Sequence, residues 1–151
     1  MRVLAPCAGR VIAMPDVPDP VFAQEMVGPG VAIDPNPGPT TVVSPIAGKV
    51  IKVLPHAFIV LGAGVGVLVH LGINTVRLDG EGFEVIAVQG SEVAAGDPMV
   101  TWDPAALPAS AGGQDLSPVV PVVLMDGVKG SVASDAIGAA VAAGDLLFVA
   151  P

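Results

Sequence analysis

Tyrosine is missing from this 151-residue chain, tryptophan and cysteine occur once each, and Lys and Arg together number six against fourteen Asp and Glu. Each scarcity removes a class of function. Six cations against a formal net charge of −8 disfavour a phosphate backbone as partner, since affinity for it rests on clustered Lys and Arg, so nucleic acid is not an expected partner. An acidic surface suits a protein partner that presents Arg or Lys, because complementary fields speed encounter. Cys7 cannot form an internal disulfide, which fits a reducing compartment, and its expected place is a small buried site. Long hydrophobic runs are also lacking. The longest, residues 57–69 (AFIVLGAGVGVLV), falls short of the roughly 18 to 20 residues of a spanning helix and is broken by three glycines. No membrane insertion is expected. Residues 1–15 show neither the basic segment nor the apolar core of a secretory signal, which leads to the expectation of a cytoplasmic protein with residues 1–151 forming one domain.

Glycine (19), proline (16) and apolar residues (52%) are abundant instead. Interior proline costs a helix about 3 kcal/mol, so long helices are excluded. Short valine-rich runs punctuated by Gly, Pro and Asp predict an all-β sandwich or barrel-like fold with tight turns and few short helices. The expected strands lie near residues 2–5, 9–14, 31–34, 41–44, 48–54, 57–61, 65–70, 84–88, 98–102, 119–124 and 146–149. A short helical turn is expected within 21–27, opened by Asp19-Pro20, and loops over 34–40 and 105–117.

The chain repeats itself. Leu4-Ala-Pro-Cys-Ala-Gly-Arg-Val-Ile12 returns as Val43-Ser-Pro-Ile-Ala-Gly-Lys-Val-Ile51, and Val93-Ala-Ala-Gly-Asp97 returns unchanged as Val141-Ala-Ala-Gly-Asp145. Two copies at unequal spacing predict a duplicated β fold and not a solenoid. The repeated Gly and Asp read as turn residues.

His56 and His70 are the only histidines. The segment between them reads as a hairpin with Gly62-Ala63-Gly64 as a three-residue loop, so partners sum to 126 and His56 stands opposite His70. Opposite side chains share a face with Cβ atoms about 4.5–5.5 Å apart, while a two- or four-residue loop would separate the rings unless a bulge restored the register. Paired imidazoles have three meanings. One can be a nucleophile for a phosphoryl group while the other hydrogen-bonds its oxygens. They can be half of a zinc site, as in a zinc-dependent hydrolase or metal-binding module. They can also be structural. The inventory offers no third histidine, no Cys pair, no Gly-x-Ser-x-Gly elbow and no phosphate loop.

Residues 67–83 (VLVHLGINTVRLDGEGF), with Pro55-His-Ala-Phe58, Asp16-Val-Pro-Asp-Pro-Val-Phe22, Ala47-Gly48 and Val93 to Pro98, resemble the glucose-family IIA domain of the bacterial sugar phosphotransferase system, in the family's order along nearly the whole chain. The resemblance implies an antiparallel β-sandwich whose two histidines lie in a shallow, apolar-rimmed depression. His70 aligns with the phosphorylated histidine and His56 with the one that contacts the phosphoryl group. The implied donor is the phosphohistidine carrier HPr, and the implied acceptor a cysteine on the IIB domain of a sugar permease. No cofactor is implied. The unphosphorylated form could bind transporters or kinases, with His56 and His70 sharing an intermolecular zinc. Phe22 matches an apolar residue of the docking rim and Asp19 an acidic residue near it; core filling and turn capping are their alternative readings.

This sequence departs from the family pattern in places. Asn74 stands where relatives carry Asp, which removes an acidic contact to a basic partner. Leu54 replaces a Thr near the active histidine. The interval between the histidines is one residue shorter, which bears on the hairpin loop. The chain begins almost at its first strand, so behaviour that depends on an N-terminal tail is not expected of it.

Overall fold

The computed structural model describes residues 1–151 as fifteen strands and one short α-helix, every strand pairing being antiparallel. In chain order the strands are β1 (Arg2–Leu4), β2 (Gly9–Ala13), β3 (Gly30–Pro35), β4 (Thr40–Val43), β5 (Gly48–Leu54), β6 (Ala57–Gly62), β7 (Val65–His70), β8 (Glu84–Val85), β9 (Glu92–Val93), β10 (Pro98–Trp102), β11 (Ser110–Ala111), β12 (Gln114–Asp115), β13 (Val120–Leu124), β14 (Ala140–Val141) and β15 (Leu146–Val149), with α1 spanning Pro20–Ala23. Eight of them form one sheet in the order β14-β2-β3-β13-β7-β6-β5-β9, and smaller sheets β4-β10-β8 and β1-β15 complete the sandwich. The β-sandwich expected from the sequence is the fold.

Alternation explains the layers. Along β6 and β7, Phe58, Val60, Val67 and Val69 are fully buried and join Val3, Val42, Met99, Val100 and Phe148 from the smaller sheets in one core. The intervening residues of β7, Leu68 and His70 among them, face the other way and are partly exposed, as the two-residue period of a strand requires. On that outer face a second, smaller core gathers Met14, Val17, Phe22, Ala32, Ile73, Val119 and Val123. The central strand β13 contributes to both cores, and all five of its residues are buried.

Several expected boundaries change. The strand expected over 84–88 is only Glu84–Val85. The helical turn begins at Pro20 and stops at Ala23, short of Val27. The loop over 105–117 contains the hairpin β11–β12, and Thr75–Leu78 forms a 3₁₀ turn that periodicity did not announce.

The histidine hairpin also differs. Gly62 pairs with Val65, so the β6–β7 loop has two residues, Ala63 and Gly64, both at positive φ (51° and 76°). Partners therefore sum to 127, and His70 stands opposite Ala57, not His56. A two-residue loop with positive φ at both positions carries the twist of the flanking strands, which outweighs the looser three-residue alternative.

Candidate functional site

The two histidines meet despite the altered register, because His56 is not a strand residue at all. It occupies the tight turn between β5 and β6, one residue before Ala57. Its carbonyl accepts the N–H of Leu71 at 2.7 Å, which ties the turn to the chain just beyond His70. The rings lie with centroids 5.2 Å apart at an interplanar angle of 71°. Leu54, two residues earlier, is exposed and brings no side-chain donor or acceptor to this turn.

Ladder chemistry sets where the chain leaves the sheet. β7 pairs with β13 at Val69↔Val122 and goes no further. The next residue back along β13 is Pro121, which has no N–H to donate. Beyond His70 the chain turns at Gly72, whose φ of +83° suits glycine. The Gly72 carbonyl lies 2.5 Å from His70 Nδ1. A carbonyl only accepts, so Nδ1 must carry the proton and the lone pair remains on Nε2.

Burial lowers the pKa of His56 below the ordinary histidine value of 6.5. His70 is lowered as well, by burial first; the bond to Gly72 opposes the shift, the neighbouring His56 adds to it, and the charge of Asp19 opposes it. Both imidazoles are therefore neutral at neutral pH, the state in which a ring nitrogen is a nucleophile.

The second core supplies the wall. Asp19 accepts the backbone N–H of Val21 at 2.8 Å and of Phe22 at 3.3 Å, capping α1 in the way that favours Asp at this position. The cap fixes Phe22 with its ring centroid 5.2 Å from that of His70, tilted by 59°. Phe22 is buried, with 8% exposure, so it is a wall beneath the histidine more than an open rim. The capping reading of Asp19 holds together with its electrostatic effect on His70. Asn74 is half-buried with a φ of +61°, and its amide donates to the Asp115 carbonyl at 3.0 Å. Its side chain thus serves the chain's own β11–β12 arm.

Sequence reasoning found both histidines, Asp19, Phe22 and Asn74, but not the Gly72 carbonyl or the buried Thr75. The Gly-Ile-x-Thr run after His70 was the available signal. No group of three or more His, Cys, Asp or Glu side chains is arranged to hold a metal, whereas catalytic zinc takes three protein ligands. The zinc-hydrolase alternative therefore lacks its ligand set.

The family model described as phosphoenolpyruvate-dependent sugar phosphotransferase system, EIIA 1, matches residues 1–129. Over 106 residues, 68% of this chain, the sequence is 49% identical to the PTS system glucose-specific EIIA component of Staphylococcus aureus strain Mu50. Over the same length it is 45% identical to that of Staphylococcus epidermidis strain ATCC 12228. The match spans 63% of the length of these curated relatives. Among solved structures, the glucose permease IIA from Mycoplasma capricolum superposes with a TM-score of 0.79 at 34% identity, covering 98% of this chain and 94% of that one.

Proposed function

Because the chain belongs to the EIIA 1 family of the phosphoenolpyruvate-dependent sugar phosphotransferase system, we propose that it is a phosphoryl relay of sugar uptake, charged on His70 by phosphorylated HPr and discharged onto a cysteine of a IIB permease domain. The observation that carries this reading is the bond from His70 Nδ1–H to the Gly72 carbonyl beside a second imidazole. It leaves Nε2 as the nucleophile. In the loading step Nε2 forms a bond to phosphorus while the P–N bond to the donor imidazole breaks, and the donor nitrogen recovers its lone pair. In the unloading step a thiolate forms the S–P bond and His70 recovers its own. Each step exchanges one bond to phosphorus for another, so beyond the nucleophile itself the site has to position the phosphoryl group and stabilise its charge. His56 is suited to donate a hydrogen bond to the phosphoryl oxygens. Both histidines are half-buried and not sealed from solvent, so a partner can reach them and then exclude water by covering the depression.

No helix is long and apolar enough to cross a membrane, and the relay is proposed to act in the cytoplasm. The test is incubation with phosphoenolpyruvate, enzyme I and HPr, followed by mass spectrometry. We expect one phosphoryl group on His70, lost in acid and stable in base. His70→Ala should take up none. His56→Gln should load but transfer poorly to the IIB cysteine; normal onward transfer by this variant would refute the division of roles.

A further inference from the structure

Thr75 is fully buried. It is one of two buried polar residues in the protein, the other being Ser44, and its hydroxyl donates to the Leu71 carbonyl at 2.7 Å. Leu71 is the residue that follows His70. Its N–H is held by the His56 carbonyl, so the two faces of Leu71 are fixed by His56 on one side and by Thr75 on the other. The methyl of Thr75 lies against Gly72: a Cβ added to Gly72 would come within 2.6 Å of Thr75 Cγ2 and 2.8 Å of the Ser117 carbonyl. The peptide that presents the Gly72 carbonyl is anchored from its other side, where Ile73 N–H donates to Ser117 at 2.8 Å. Thr75 thus fills the inside of the turn whose carbonyl sets the tautomer of His70.

We propose that Thr75 is a positioning residue for phosphoryl transfer: its hydroxyl, bonded to the Leu71 carbonyl, holds the Leu71–Gly72 turn so that the Gly72 carbonyl keeps the proton of His70 on Nδ1. Thr75 touches no reacting atom. It acts through backbone, and the inference rests on the relay reading only for its kinetic consequence. The physical reason is that a lone imidazole exchanges its proton between the two nitrogens unless one of them is bonded to a fixed acceptor. Removing the hydroxyl leaves a buried carbonyl without its donor, and the turn then shifts to find another.

The decisive variant is Thr75→Val, which keeps shape and removes the hydroxyl, compared with Thr75→Ser, which restores it. Nitrogen-15 NMR of the unphosphorylated protein reads the tautomer directly and needs no partner. The wild type and Thr75→Ser should show the Nδ1–H form alone, and Thr75→Val a mixture of both forms. In the HPr-driven assay the rate of loading should fall on the order of tenfold or more in Thr75→Val, as small misplacements of reacting groups do, and recover in Thr75→Ser. If Thr75→Val does not fold, Thr75→Ala is measured in the same two ways. A folded Thr75→Val or Thr75→Ala with a single Nδ1–H tautomer and the wild-type rate overturns the inference. Failure of the relay reading is distinct: it is seen as no phosphoryl uptake by the wild type, whatever the NMR shows.

Discussion

At His70, burial, a carbonyl, a neighbouring imidazole and a carboxylate all act on one proton, and burial decides the outcome. A native histidine whose pKa lies below 6.5 binds fewer protons than the unfolded chain as pH falls through 6.5. Its stabilising contribution is therefore complete above 6.5 and is lost as pH falls through the native value. We expect the urea midpoint to drop between pH 7 and pH 5, and the drop to be smaller in the His56→Gln, His70→Gln double variant; equal slopes would show that the histidines do not contribute. Cys7 is the opposite case. Burial pushes its thiol up to about 12, and the thiol, unlike the thiolate, is unreactive. Native protein at pH 8 should resist iodoacetamide, and the same protein in denaturant should be alkylated. Rapid native labelling would contradict the burial of Cys7. Both histidines and Cys7 were legible as candidates in the sequence. The proton on Nδ1 was not, because it depends on a backbone carbonyl that any residue could offer.

Turns and caps, more than strands, separate the expected elements from the observed ones. Valine alternation located most of the long strands within about a residue, since burial of one face dictates it. The sequence leaves the register of β6 and β7 open because three successive small residues, Gly62, Ala63 and Gly64, allow more than one loop; the twist of the strands selects the two-residue form. The histidines still meet because His56 sits in the preceding turn, a contact that no strand-pairing rule encodes. Ala63 carries a cost in this loop: its φ of +51° is unfavourable for a residue with a Cβ, and Asn-Gly is the preferred pair there. Ala63→Asn should raise stability by about 0.5 kcal/mol, measured by chemical denaturation; destabilisation would mean that the loop is not of this type. At α1 the sign reverses. Asp19→Ala removes the cap that seats Phe22 on His70, which should cost about 1 kcal/mol and also move the pKa of His70 further down, followed by NMR titration.

Across the whole molecule the two sequence repeats turn out to be two halves that hold each other. Leu4 N–H donates to Pro45 O at 3.0 Å, and its counterpart Val43 N–H donates to Pro6 O at 2.9 Å. Ala5 exchanges bonds with Asp145 and Gly144, as Ser44 does with Asp97 and Gly96. β14 lies along β2 as β9 lies along β5, and the eight-stranded order reads the same from both ends in these equivalences. The duplication was visible in the letters. That the copies face each other across a two-fold relation was not, since sequence identity carries no orientation. The chemistry breaks the symmetry: the tight turn holding His56 joins β5 to β6, whereas the equivalent link from β2 to β3 is the long segment that carries Asp19 and Phe22. One half thus supplies the second imidazole and the other the wall behind His70. Where symmetry persists, energetics should follow it. Asp97 and Asp145 each close a turn by accepting a backbone N–H, from Ala94 and Ala142, at 2.8 Å in both cases. Asp97→Ala and Asp145→Ala remove the same side-chain bond from equivalent, exposed turns, and a net hydrogen bond of this kind is worth about 1 kcal/mol. We expect the two variants to lose equal stability in chemical denaturation, within about 0.5 kcal/mol of each other, the spread usual for the net worth of such a bond. A large cost at one position and none at the other would mean that the repeated turns resemble each other in sequence without sharing a structural role.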